Sequence, residues 1–166
     1  MTKAQAKEEI KKLIQRYEIQ KSRHQLKNYN EAMTRKDFIL PLFRALGWDV
    51  FNEENHEFIE EEKAIQGKID YVCQIDNSPK LFLEIKAIKE DLDKEKWAKQ
   101  VISYAYHKGV AWAVLSDFEG IKVFNAEWEA ATPEQCKFFE LKIDEYLDKF
   151  DKLTLICYTY IRIKKT

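Results

Sequence analysis

Between Lys68 and Ile88, apolar and polar residues alternate on both sides of a turn at Asp76-Asn77-Ser78. Such a pattern restricts the chain tightly, because successive strand side chains point to opposite faces and a one-residue slip moves every apolar group to the wrong side. Ile69, Tyr71, Cys73 and Ile75 share a face of the first arm, and Leu81, Leu83, Ile85 and Ala87 do the same on the second. A three-residue loop centred on Asn77 pairs positions whose numbers sum to 154, a hairpin in which Ile69 opposes Ile85, Tyr71 opposes Leu83 and Cys73 opposes Leu81. This register sets Asp70 opposite Glu84 on the other face, where Lys86 joins them. Val72 and Phe82 share that face, so it is expected to be partly covered.

The flanking segments suggest an α/β fold. Residues 3 to about 27 lack helix breakers and carry a narrow apolar stripe of Ile10, Leu13, Ile14 and Tyr17, which predicts a helix. A second helix is expected from about Glu31 to Leu46, with Asn28 or Asn30 as N-cap, Phe38, Leu42, Phe43 and Leu46 as apolar face, and Gly47 as stop. Pro41 should kink it. Trp48–Phe51 reads as a short strand, followed by an acidic, poorly periodic stretch from Glu53 to Lys63. Beyond the hairpin, a helix from about Asp93 to Lys108 carries Trp97, Val101 and Tyr104 on one side and ends at Gly109. Val110–Leu115 then reads as a buried strand. Strand, helix, strand is the pattern of a parallel crossover. Gly120–Asn125 offers a last antiparallel strand, about Asp144 to Phe150 a last helix, and the end of the chain is apolar and β-prone. The predicted fold is a mixed central sheet of four or five strands with the Lys68–Ile88 hairpin at its centre and helices on both sides.

Composition narrows the function classes. The 166 residues amount to about one domain, and an apolar content of 45% excludes a disordered chain. The net charge of −1 gives no overall pull toward nucleic acid or membrane, but its distribution is uneven. Met1–Lys36 holds ten basic residues against four acidic ones, so that segment carries +6 and the remainder is acidic. Such polarity suits a protein that grips a phosphate backbone at one end and holds a cation elsewhere, although a solvated lysine-rich helix has the same composition. Cys73, Cys136 and Cys157 are far apart and odd in number, which predicts free buried thiols in a reducing cytoplasm. His24, His56 and His107 form no ligand pattern. Leu153–Ile163 is too short for a membrane helix, and Met1 leads into a polar segment, so a soluble protein is expected.

Two carboxylates facing each other across a hairpin repel, and a cation between them relieves that cost. Oxygen ligands of this kind suit Mg²⁺, which takes one or two carboxylates and completes its shell with water and substrate phosphate. An ammonium on the same face can orient or deprotonate a water, or stabilise charge on phosphoryl oxygens. Asp70, Glu84 and Lys86 thus form a candidate site for phosphodiester hydrolysis. A surface salt-bridge ladder would use the same residue types. Expected cover from the crossover helix argues against it, because charges are not placed under a helix without partners.

These segments also resemble a known family. Ile69-Asp70-Tyr71, Leu83-Glu84-Ile85-Lys86 and Gln100-Val101-Ile102-Ser103-Tyr104 are similar, in order and interval, to the D … E-x-K … Q-x-x-x-Y motifs of PD-(D/E)xK nucleases. Glu31-Ala32-Met33-Thr34-Arg35, continuing through Phe38-Ile39-Leu40-Pro41-Leu42 to Leu46-Gly47-Trp48-Asp49, resembles the helix that opens the endonuclease domain of type IIG and type I restriction enzymes. The likeness covers roughly Glu31 to Phe124 and weakly reaches Phe150–Leu153. Ile69 stands where the family's name places a proline.

The resemblance implies a restriction-endonuclease-like fold and Mg²⁺-dependent DNA cleavage, with Mn²⁺ as a substitute. It assigns catalytic roles to Asp70, Glu84, Lys86, Glu31 and Gln100, and metal binding to Asp70, Glu84, Glu31 and Ile85. Gln100 would steer the phosphate or the lysine. A first-turn glutamate favoured by the helix dipole remains an equal reading of Glu31, and Tyr104 reads as core in either case. One domain is expected, divided into a basic helix (1–29), a nuclease core (30–153) and a divergent apolar tail (154–166). Related enzymes continue into methyltransferase or helicase modules and a specificity domain, so the chain is a stand-alone module, a truncation or a gene remnant. A dimer on DNA is consistent with cutting both strands. Alternatives are an inactive DNA-binding or docking module of a larger restriction complex, or a structural domain whose acidic pair is incidental.

Overall fold

The computed structural model describes residues 1–60, 69–128 and 132–163. Residues 61–63 of the acidic stretch, Lys68 of the hairpin and residues 164–166 of the tail lie outside them.

Helix α1 (Lys3–Ser22) starts at a capping box in which Thr2 and Gln5 satisfy each other's backbone N–H groups. It stops short of residue 27, because His24 takes a left-handed conformation at φ 54° and a 3₁₀ turn follows at Leu26–Asn28. Ile10 and Tyr17 are fully buried, with Leu13 and Ile14 packed beside them.

The second predicted helix is three pieces: α2 (Glu31–Thr34), a π-helical turn (Arg35–Ile39) and α3 (Leu40–Ala45). Asn30 is the cap, its side chain accepting from the Met33 N–H at 2.9 Å. Pro41 has no N–H to offer the Asp37 carbonyl one turn back. The Arg16 guanidinium donates to that carbonyl instead, at 3.4 Å. The expected kink is therefore a wide turn braced by α1.

Trp48–Phe51 is not a strand. The Asp49 carboxylate accepts the N–H groups of Glu53, Glu54 and Asn55, and Asn52 at φ 53° accepts those of Glu57 and Phe58. Side chains thus satisfy the backbone locally and turn the chain in a tight loop. The first strand is β1 (Phe58–Glu60).

The hairpin is β2 (Tyr71–Ile75) and β3 (Ser78–Ile85). Partner numbers sum to 153 at Gln74–Pro79 and Ile75–Ser78, then to 154 from Cys73–Leu81 through Tyr71–Leu83. The turn is thus two residues, Asp76 and Asn77, both at positive φ as a type I′ turn requires, and a bulge restores the predicted register. One placement differs. Ile69 packs in the opposite core from Cys73 and Leu83, because the strand begins only at Tyr71 and the chain bends at Asp70.

After β3 come α4 (Glu95–His107), β4 (Trp112–Ser116), β5 (Gly120–Asn125), α5 (Pro133–Cys136) and β6 (Lys137–Lys142). Among the described residues the sheet has six strands in sequential order, one more than the upper expectation. Only β3 and β4, joined through α4, run parallel. On one face α4 covers Val72, Phe82, Leu115 and Phe124, while α1 to α3 and the C-terminal elements cover Cys73, Leu83, Val114 and Val123 on the other.

A 3₁₀ turn at Ile143–Glu145 and the short α6 (Phe150–Leu153) replace the predicted last helix. The apolar end is likewise not extended: a 3₁₀ turn (Thr154–Ile156) leads into α7 (Tyr158–Ile163). Its bonds run to the loop after α3, with Trp48 Nε1 donating to the Ile156 carbonyl at 2.9 Å and the Tyr158 N–H to the Leu46 carbonyl at 3.1 Å. Packing overrides β propensity here. Cys73 and Cys136 are buried, Cys157 is partly exposed, and all three are free thiols. Among the described residues no helix is long and apolar enough to cross a membrane.

Candidate active site

Where β2 gives way to the bend at Asp70, β3 continues. Ile85 therefore has no β2 carbonyl opposite its N–H, and it donates to Asp70 Oδ2 at 2.7 Å. That bond seats the first acidic residue at the end of the hairpin. Glu84, the penultimate residue of β3, points to the α4 face. Lys86 follows the strand, its N–H held by the Ser116 carbonyl at 3.0 Å in continuation of the β3–β4 ladder. Lys86 Nζ reaches Glu84 Oε1 at 2.8 Å.

Asp70, Glu84 and Lys86 are each less than a tenth exposed. Glu31 opens α2 as its first residue, half-buried, and lies close enough to Asp70 to feel its charge. Its carboxyl is raised above its ordinary value by burial and then by the Asp70 charge. The helix is fixed there by Thr34, which lies fully buried on the Phe38–Leu42 stripe. Thr34 Oγ1 accepts the Ile88 N–H at 3.2 Å and donates to the Asn30 carbonyl at 2.9 Å.

Burial, then repulsion from Asp70 and in smaller part Glu31, pushes Glu84 up to about 7 even though the Lys86 ammonium pulls it down. Glu84 Oε2 is buried and has no hydrogen-bond partner among the described residues, a costly state for a carboxylate. A site left in this condition has a reason to be short of positive charge. Three carboxyl groups and one orphaned oxygen are the hard donors that Mg²⁺ or Mn²⁺ prefers. Among the described residues, however, no three His, Cys, Asp or Glu side chains form a ready-made metal cage. The donor chemistry fits, and the carboxylates would have to close further around an ion.

Sequence reasoning placed Asp70, Glu84, Lys86 and Glu31 together, and the fold brings them together. Ile85 is beside them through its N–H. Gln100 lies half-buried on α4, one turn beyond Trp97. Two neighbours escaped the sequence reading. Trp97, taken for core, has its ring centroid 3.8 Å from Lys86 Nζ. Arg35 stands over the Tyr71 ring at 5.9 Å and 3.6 Å from Glu60, and the Asp70 charge also acts on it. Thr34 could have been found as the polar residue interrupting an apolar stripe. Arg35, one turn after Glu31, had the matching spacing.

No family model matches the chain. It is similar to the type II restriction enzyme and methyltransferase RM.Eco57I of Escherichia coli, 29% identical over 162 residues, which covers 89% of this chain and 16% of that enzyme. The fold matches a solved structure of the type IIG restriction endonuclease BpuSI with a TM-score of 0.53 at 18% identity, over 78% of this chain and 17% of that one. The chain thus spans about a sixth of the length of these relatives. The chain is thus similar in sequence to a restriction enzyme, and its fold is restriction-endonuclease-like.

Proposed function

We propose that the domain is the DNA-cleaving module of a restriction system, hydrolysing phosphodiesters with a divalent cation. The observation that carries this reading is the Lys86–Glu84 pair at 2.8 Å, with the second Glu84 oxygen buried beside Asp70 and without a partner among the described residues. Asp70 and Glu84 would hold the ion, with the Ile85 main chain and Glu31 contributing. Bound there, Mg²⁺ would supply charge to the phosphoryl oxygens and acidify a water. Lys86 does the chain's own work: its ammonium, buried beside Glu84, would orient the attacking water or bind a phosphoryl oxygen. Gln100, from α4, would steer the phosphate. The exposed basic residues of α1 give the DNA backbone a cationic surface, and methyltransferase, helicase or specificity modules outside these residues would choose the target.

A docking or DNA-binding module is the second reading, favoured by the lack of a ready-made metal cage among the described residues. Calorimetry separates the two. Saturable Mn²⁺ or Mg²⁺ binding that is lost in Glu84→Ala supports the nuclease. DNA binding that weakens with salt, in a protein that takes up no metal, would sink it.

A further inference from the structure

We propose that Trp97 is the positioning residue for Lys86, holding the lysine ammonium by its indole face when Glu84 lets it go. This rests on the nuclease reading above. Lys86 leaves the end of β3 on a flexible four-carbon stem, and its backbone is pinned at Ser116. Its ammonium has two described anchors: Glu84 Oε1 at 2.8 Å and the Trp97 ring, whose centroid is 3.8 Å away. That distance is well inside the range in which a cation is drawn to an aromatic face.

The two anchors behave differently during a reaction. An ion pair with Glu84 is given up whenever that carboxylate takes another partner. The ring has no charge to lose, so its hold on the ammonium persists. An ammonium carries three donors, and a face contact occupies them less strictly than a carboxylate does, leaving one for a water or a phosphoryl oxygen.

Trp97 packs against the α4-side core and turns its ring face to the Lys86 ammonium. Its Nε1–H is buried and has no hydrogen-bond partner among the described residues. A second ammonium, Lys96 Nζ, also lies 4.3 Å from the same ring centroid. Trp97 sits in the first turn of α4, three residues before Gln100, so one helix presents both the clamp and the proposed steering residue.

The test joins a spectroscopic and a kinetic readout on the full chain. Lysine labelled with ¹³C at the ε-carbon gives a Lys86 signal, assigned by its loss in Lys86→Met. Ring current from Trp97 moves it upfield, Trp97→Phe keeps most of the displacement, and Trp97→Met abolishes it while filling the space. In single-turnover cleavage of plasmid DNA with Mg²⁺, Trp97→Met slows the rate about tenfold at unchanged DNA affinity, and Trp97→Phe restores most of it. A Lys86 signal without ring-current displacement overturns the clamp, as does a Trp97→Met loss that appears only in DNA affinity. If the wild type does not cleave at all, the nuclease reading fails and the spectroscopic arm still decides the clamp.

Discussion

Glu84→Gln is predicted to stabilise the metal-free protein above neutral pH, although it removes a residue at the centre of the site. In the unfolded chain this carboxyl titrates near 4.5, and in the folded protein at about 7. As pH rises the unfolded state therefore loses its proton first, and folding stability falls between those two values. Above them the folded state carries a penalty of about 3 kcal/mol, an order-of-magnitude figure from the displaced titration. Glutamine cannot ionise and escapes it. The attraction of the Lys86 ammonium is already contained in that folded value. The gain is therefore about 3 kcal/mol near pH 8, shrinking to nothing or a small loss near pH 4, where the carboxyl is largely protonated in both states. Urea unfolding in EDTA at the two pH values measures it. A variant less stable than wild type near pH 8, or a gap that does not change with pH, would refute the reasoning. Adding Mg²⁺ should reverse the ranking, since only the wild type gains stability from a bound ion.

Other predictions concern the scaffold. Asp117, buried and pushed up to about 7 chiefly by desolvation, accepts the Gly120 N–H through Oδ1 at 2.9 Å. Asp117→Asn keeps that acceptor, so it should stabilise the fold by up to about 4 kcal/mol above pH 7 and by nothing near pH 3, as melts across pH would show. At the hairpin turn, Asn77→Gly should gain about 0.5 kcal/mol because φ is 61°, while Asn77→Val should lose more than about 1 kcal/mol in urea titrations. Phe118, fully buried, stacks on Phe38 at 4.8 Å, and Phe118→Ala should cost about 3–5 kcal/mol by the same measurement.

How far the site could be read from the sequence depends on the range of the forces involved. The hairpin register, α4 and the parallel β3–β4 pair were legible because alternation, helical spacing and a Gly109 stop are local signals. Glu31 was legible only through the family resemblance, since its meeting with Asp70 depends on the docking of α2. β6 was missed although Phe139 and Leu141 alternate into the core, because they are interleaved with Lys137, Glu140 and Lys142 and preceded by the exposed Phe138. The apolar end misled for the opposite reason. Its β-prone residues find their partners at Trp48 and Leu46, and no local signal announces that contact. Trp97 shares an apolar helix face with Val101 and Tyr104 at core spacing, so nothing in the sequence marks it as the partner of Lys86.

Nicking of supercoiled plasmid DNA by the purified domain, with Mg²⁺ or Mn²⁺ and with EDTA as control, tests the central claim most directly. The account predicts metal-dependent nicking that Glu84→Ala and Lys86→Ala each abolish while both variants remain folded. Variants that nick as fast as the parent would contradict it.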